Sequence, residues 1–373
     1  MIRVLFVDDE PLLLEGLSNS LRKYRRQWAM STALGGGDAL RQLEDGWFDV
    51  IVSDMRMPGI TGEELLRQVR DRWPHIARVV LSGQTDEDVG VRVPVAHQFL
   101  AKPCEAEAIN ELIMRLDRLM AMLPDLEVRR CVGRLSSVPC TPSGCSLLRR
   151  QLGVPEDTRE PVGVAITRDP GVASRVLQLA NSEYFAGAAA VSSMAGAVNA
   201  LGEQAITNLL RDTHRDGNSR TAPGGGCRTA HEGNARAVRV AALTAAICSD
   251  VVPAMADSGY MAGLLHNVGV LVQPVCCTRG PEAREEAGSD QAHVGAYLLG
   301  LWGLPEEIVD AVAHQRHPGE TGEGMFTLAS ALHVAVGIED ADMEIDMPHL
   351  ERVGVAGRLE AWRNMATTMG EDA

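Results

Sequence analysis

Aromatic residues are scarce. The 373 residues hold five Trp, four Tyr and five Phe, about 4% of the chain, while hydrophobic residues make up 45%. The cores must therefore be built from Leu, Val, Ala, Ile and Met, a mixture that leans towards helix. Long apolar runs are missing too. None approaches the ~20 residues that a membrane span needs, so no membrane association is expected. The start, MIRVLFVDDE, reads as a polar-edged strand followed by acids rather than as a signal peptide. Basic charge is in deficit, with 35 Lys and Arg against 50 Asp and Glu and a net charge of −15. That balance disfavours nonspecific binding to nucleic acid or to anionic membranes, which needs basic patches. No basic recognition helix is visible either, so direct nucleic-acid binding is not expected. The eight cysteines (Cys104, Cys131, Cys140, Cys145, Cys227, Cys248, Cys276 and Cys277) form no CxxC pair and hence no zinc framework. Reduced thiols and a cytoplasmic location are the expectation. A chain of this length predicts two or three domains.

What is present centres on Val50 to Ile60, VIVSDMRMPGI. Val50, Ile51 and Val52 are a β-branched run without charge, suited to a central strand buried on both faces. The run ends at Asp54, and the turn signal Pro58-Gly59 comes next. Similar runs precede and follow it. Arg3 to Val7 leads into Asp8-Asp9-Glu10, Ala77 to Leu81 into Ser82-Gly83, and Ala96 to Ala101 into Lys102-Pro103. Between them lie helical faces: Leu14, Leu17 and Leu21; Ala39, Leu40 and Leu43; Leu65, Leu66 and Val69. Last comes a long face through Ile109, Leu112, Ile113, Leu116, Met120 and Leu123. Alternating strands and helices predict a parallel doubly wound α/β sheet.

In such a sheet the carboxyl ends of the strands converge on one edge. A lone acid there is most often a cap or a solvated group. Here Asp8, Asp9, Asp54, Ser82 and Lys102 arrive together. Clustered carboxylates repel one another and favour a hard cation on oxygen ligands, most naturally Mg2+. A cation and Lys102 would neutralise an incoming phosphoryl group, Ser82 would hydrogen-bond it, and Asp54 would be the nucleophile that takes it up as an acyl phosphate.

The acidic pair Asp8-Asp9, the SDMRMPG segment around Asp54, the LSG segment with Ser82 and the FLAKP segment with Lys102 resemble the receiver domain of two-component response regulators. The resemblance covers roughly residues 1–122. It implies a five-stranded, flavodoxin-like sheet and makes Asp54 the phosphoacceptor. It also implies that Asp9, Asp54 and the backbone carbonyl of Arg56 hold Mg2+, with Asp8 helping from behind. Ser82 and Phe99 match the switch pair, in which the ring moves inward when the hydroxyl turns to the phosphoryl group. One departure is Thr85 to Pro94, which offers only a short, weakly patterned fourth helix.

Residues 1–123 are thus read as the receiver, 124–135 as a linker, and 136–373 as a second, all-helical domain. In the second half, apolar faces recur at Val172 to Ala180, Ala197 to Leu201, Ile206 to Leu210, Ala235 to Ile247, Tyr297 to Leu301, Ile308 to Val312 and Leu328 to Val336. Asp212 to Gly233 reads as a flexible loop or insertion. Most histidines fall in this half. GLLHNVG (Gly263 to Gly269) is similar to the metal-binding His-Asp signature of HD phosphohydrolases, but Asn267 replaces the aspartate. The closing aspartate is also not evident, with Val336 near that point. DPGVASRVLQLANSEYF, VSSMAGAVNALG and HVGAYLLGLWGLPEEIVDAVAHQRHP resemble the HDOD domain, an HD-related helical output domain that generally lacks the full metal set. His231, His266, Asn267, His293 and His314 are the candidate remnants, and no cofactor is expected there.

Two functions are weighed. In the first, a sensor histidine kinase phosphorylates Asp54, and the change is relayed to a non-enzymatic HDOD domain that binds a downstream signalling protein; homodimerisation is left open. In the second, the receiver controls a metal-dependent phosphohydrolase, for example one acting on a cyclic dinucleotide.

Overall fold

The computed structural model describes residues 1–83, 95–136, 138, 162–182, 190–212, 226–276, 291–321 and 324–371. The chain divides into two compact units, the first built on Met1–Ser136 and the second on most of residues 137–373.

The first unit alternates strand and helix: β1 (Arg3–Asp8), α1 (Pro11–Ser20), β2 (Ala29–Leu34), α2 (Gly36–Asp45), β3 (Val50–Asp54), α3 (Gly62–Arg72), β4 (Ala77–Ser82), β5 (Gln98–Ala101), α4 (Ala106–Met122) and α5 (Leu126–Val132). The sheet is parallel throughout, in the order β2-β1-β3-β4-β5. Val4, Leu5 and Phe6 of β1 and Val50, Ile51 and Val52 of β3 are fully buried, as central strands covered on both faces must be. Register then fixes the site. Val7 lies beside Ser53, Asp54 beside Leu81, and Ser82 beside Ala101. All the strand ends that bear polar groups therefore open on one edge. The chain order reverses between β1 and β3, which makes the gap outside their carboxyl ends the switch-point crevice.

Three local features depart from the sequence reading. β2 carries no apolar run; only Ala33 is buried in it, because it is an edge strand. Sequence periodicity alone therefore passes over it. Ala77 to Leu81, read as plainly apolar, contains a buried arginine. Arg78 is 1% exposed and donates from Nε to the Val95 carbonyl (2.5 Å) and from Nη2 to the Gly133 carbonyl (2.8 Å). Its backbone N–H donates to His97 Nδ1 (3.0 Å). Finally, the linker expected over 124–135 holds helix α5. Asp125 caps it, accepting from the N–H groups of Glu127 and Val128, and Val132 is fully buried. At Gly133 a Cβ would lie 1.8 Å from the Pro74 carbonyl oxygen, so the chain passes there only as glycine. Thr85 to Pro94, expected as a weak helix, lies outside the described residues.

Among its described residues the second unit contains helices and no strand. Its helices are α6 (Val162–Ile166), α7 (Pro170–Ala180), α8 (Met194–Asp212), α9 (Gly226–Val251), α10 (Ala256–Leu265), α11 (Val268–Cys276), α12 (Gln291–Leu301), α13 (Glu306–Ala313), α14 (Leu328–Glu339), α15 (Met347–Arg352) and α16 (Leu359–Glu371). Helix α8 bends at Gly202, whose φ of 70° is outside the helical range. Asp169 caps α7, accepting from the N–H groups of Gly171 (2.9 Å) and Val172 (3.2 Å), and Asn234 of α9 donates to its other oxygen (3.3 Å). One carboxylate thus both starts α7 and ties it to α9. Asn181 closes the same helix. Its side chain exchanges two hydrogen bonds with the backbone of Val191, each 2.8 Å, so its role is structural. Of the insertion expected over Asp212 to Gly233, residues 226–233 are helical, while 213–225, with His214, lie outside the described residues.

Candidate functional site

The switch-point crevice of the first unit is built around a lysine between two carboxylates. β1 delivers Asp8, whose side chain is 2% exposed, and β3 delivers Asp54, 14% exposed. Lys102 comes directly after β5 and reaches back across the edge. Its ammonium donates to Asp8 Oδ2 at 2.9 Å and also to Asp54 Oδ1. The remaining oxygens are held by backbone. Asp8 Oδ1 accepts from the Glu10 N–H (2.9 Å), and Asp54 Oδ2 accepts from the Arg56 N–H (2.7 Å). Burial alone would push the Lys102 ammonium towards neutrality. The hydrogen bonds and charges of Asp54 and Asp8 outweigh it and hold the pKa above the ordinary lysine value.

The loop after β3 is shaped to present Asp54. Gly59 has φ 79°, a left-handed turn open to glycine. Thr61 then starts α3 with a capping box: Glu64 N–H donates to Thr61 Oγ1 (3.2 Å), and Thr61 N–H donates to the Glu64 carboxylate (3.1 Å). A Cβ on Gly62 would lie 2.1 Å from the Asp54 carbonyl oxygen. Helix α3 can therefore approach the end of β3 this closely only because Gly62 has no side chain.

The structure thus brings together Asp8, Asp54, Lys102 and the backbone of Arg56, and places Asp9 half-buried directly after Asp8. Ser82 ends β4 on the same edge, and Phe99 lies half-buried on β5 beside Val80. Among the described residues, no three His, Cys, Asp or Glu side chains converge as a metal cage. Sequence reading missed Glu10 and Arg56 as backbone clamps of the two acids. It also missed Gly62, a close approach with no signature beyond the glycine itself.

In the second unit the candidate remnants are dispersed in role. His266, at the end of α10, is buried. Its Nδ1 pairs with the Gly263 carbonyl (2.7 Å), and desolvation pulls its pKa down to about 4. Asn267 Nδ2 donates to the Gly233 carbonyl of α9 (3.1 Å), while its Oδ1 is buried without a hydrogen-bond partner. His293 and His314 stand edge to face, with ring centroids 6.4 Å apart. His231 lies on α9, at a position where only the backbone is described. His333 and His349 are core groups. His333 Nδ1 pairs with the Gln315 carbonyl, its Nε2 accepts from the Asp346 N–H, and His349 Nε2 pairs with the Ser330 hydroxyl, each at 2.8 Å. Val336, where a closing aspartate was sought, is buried in α14.

Comparison with known proteins agrees with both halves. The response regulator receiver domain family matches residues 4–114, and the HDOD domain family matches residues 138–318. The hydrogenase transcriptional regulatory protein HoxA of Cupriavidus necator is 42% identical over 103 residues, covering 27% of this chain and 21% of that protein. The chain therefore spans about a fifth of HoxA. The chemotaxis protein CheY of Pseudomonas aeruginosa is 30% identical over 119 residues, 31% of this chain and 95% of CheY. Among solved structures, a response regulator receiver domain protein from Clostridium thermocellum matches with a TM-score of 0.31 and 26% identity, covering 33% of this chain and 99% of that one. Among the described residues no helix is long and apolar enough to cross a membrane. With the parallel sheet in 2-1-3-4-5 order, the Asp8–Lys102–Asp54 crevice and the helical second unit, the two family matches and the likeness to CheY place the chain among the response regulators, with an N-terminal receiver domain and a C-terminal HDOD domain.

Proposed function

We propose that this response regulator takes a phosphoryl group onto Asp54 from a sensor histidine kinase, and that the state of the receiver sets what its HDOD domain binds. The observation that carries the reading is Lys102 set between Asp8 and Asp54. In the transfer, a carboxylate oxygen of Asp54 attacks phosphorus. The new O–P bond forms as the N–P bond of the donor phosphohistidine breaks, and the imidazole leaves and takes a proton from water. The Lys102 ammonium, kept charged by its raised pKa, already sits against Asp54 and offsets the charge that builds on the phosphoryl oxygens. Ser82, at the end of the neighbouring strand, and Phe99, on the strand beside it, are the proposed switch pair.

The donors at this edge suit Mg2+. All are hard oxygens, and they are too few for a closed cage, which fits an ion that keeps several waters. Asp9, Asp54 and the Arg56 carbonyl would hold it, with Asp8 behind them. When bound it would supply additional neutralisation of the phosphoryl oxygens. For the HDOD domain we propose binding without catalysis. A neutral amide at Asn267 and a buried Val336 are weak support for a divalent ion, and this disfavours the phosphohydrolase reading.

The test is labelling of the full chain by acetyl phosphate in the presence of Mg2+. Wild type is expected to incorporate one phosphoryl group, and Asp54→Asn none. Undiminished labelling of the variant would show that another residue is the acceptor.

A further inference from the structure

An HD-related fold implies a divalent metal at the pair occupied here by His266 and Asn267, and the surroundings of that pair do not fit one. His266 alone keeps a ligand's posture, with one ring nitrogen held by a backbone carbonyl. Asn267 spends its amide N–H on Gly233 of α9 and leaves Oδ1 buried without a partner. One turn along α9 from Gly233 stands Arg236. Its guanidinium donates to Asp340 at 2.8 Å, and Asp340 comes just after the end of α14, one turn beyond Val336, with its own N–H on the Val336 carbonyl (2.8 Å). The charges of Arg236 and Asp340 both reach the His266 ring, the first disfavouring its protonation and the second favouring it. The guanidinium in turn holds the Asp340 carboxyl below the usual carboxylate range. Next to this pair, Arg239 Nε donates to Glu339 at 2.9 Å, so two arginines of α9 fasten the end of α14.

We propose that Arg236 is the resident cation of this centre. Its guanidinium does what a metal does elsewhere, joining α9 and the end of α14 beside the His266–Asn267 turn, and its positive charge keeps divalent ions out. The inference rests on the reading of the HDOD domain as a binding module and gives that reading a cause. An arginine is suited to the task because it stays charged at any physiological pH and presents donors in a fixed fork. A hydrated divalent ion brought beside it would meet like charge and only one carboxylate, already engaged.

The experiment uses the full chain carrying Asp9→Asn and Asp54→Asn, which removes the oxygen site of the receiver, and reads Mn2+ binding from loss of the free-ion electron paramagnetic resonance signal. With Arg236 intact, no stoichiometric binding is expected up to millimolar Mn2+. Adding Asn267→Asp alone is expected to give at most weak binding. Adding Arg236→Met to that variant is expected to tighten binding at least tenfold, whereas Arg236→Lys, which keeps a cation in place, is not. Stoichiometric Mn2+ binding with Arg236 present would overturn the proposal. So would equal affinity, or equal absence of binding, with and without Arg236→Met. Circular dichroism of each variant separates loss of fold from loss of a site. The non-catalytic reading is judged separately, by turnover of a phosphodiester: metal binding with Arg236 in place but without turnover would refute only the role of Arg236.

Discussion

Replacing Lys102 by Met removes a charge and little else. The stem of the side chain stays, but Asp8 and Asp54, 2% and 14% exposed, are left facing one another without the ammonium that now bridges them. A charge-assisted hydrogen bond contributes roughly 1.5–3 kcal/mol net, and two are lost here. Because Lys102 is itself a quarter exposed, water screens part of that sum, and we expect a loss of about 3 kcal/mol in metal-free buffer. For a unit of this size that corresponds to a fall of about 10 °C in melting temperature. Millimolar Mg2+ should return at least half of it, since a cation held by Asp9, Asp54 and the Arg56 carbonyl would offset the same carboxylate charge. Differential scanning calorimetry of the full chain, with and without Mg2+, reads both numbers. The sign with pH is also set. Since the folded pKa is raised, the contribution of Lys102 is complete below the ordinary value of 10.5 and is lost only as pH climbs through the raised one. A melting temperature unchanged within about 2 °C, or a loss that Mg2+ does not reduce, would refute the picture of a lysine compensating two buried acids.

Two further outcomes are expected. Arg78→Met strips the donors from the Val95 and Gly133 carbonyls inside the receiver, at a cost of about 3 kcal/mol, and frees α5 from the sheet. Hydrogen exchange of the Leu126–Val132 amides should then accelerate well before that of β1 and β3, and unchanged protection of α5 would contradict the clamp. In the HDOD domain, His266 is neutral and buried with a pKa of about 4, against 6.5 when exposed. The unfolded chain binds its proton first, so stability should fall as pH drops from 6.5 towards 4, by roughly 3 kcal/mol from this group. Urea titrations across that range should show the slope, and His266→Gln should flatten it; a slope identical in the variant would mean that another group titrates.

The receiver site was legible in the sequence because its residues stand at strand ends. Apolar runs at Arg3 to Val7, Val50 to Val52 and Ala77 to Leu81 announce buried strands, and each run stops at a polar group. Parallel pairing then forces those stops onto one edge. β2 was not legible by pattern, since an edge strand with one buried residue has no periodicity to show. Helix α5 escaped for a related reason. Seven residues are too few for a helical repeat, and what stabilises them is a cap at Asp125 and contacts at Val132 and Gly133.

What the sequence determined by itself is therefore the two domains, the buried strands of the first and the polar residues that end them, because these depend on local pattern and on short motifs. Tertiary structure alone decided the partners. Lys102 meets Asp8 and Asp54, Arg78 reaches Gly133, and Arg236 meets Asp340 across long stretches of chain, and no periodicity records which charge finds which. The physical reason is that a buried charge is tolerated only beside a compensating group, and that group comes from whichever element the fold packs against it.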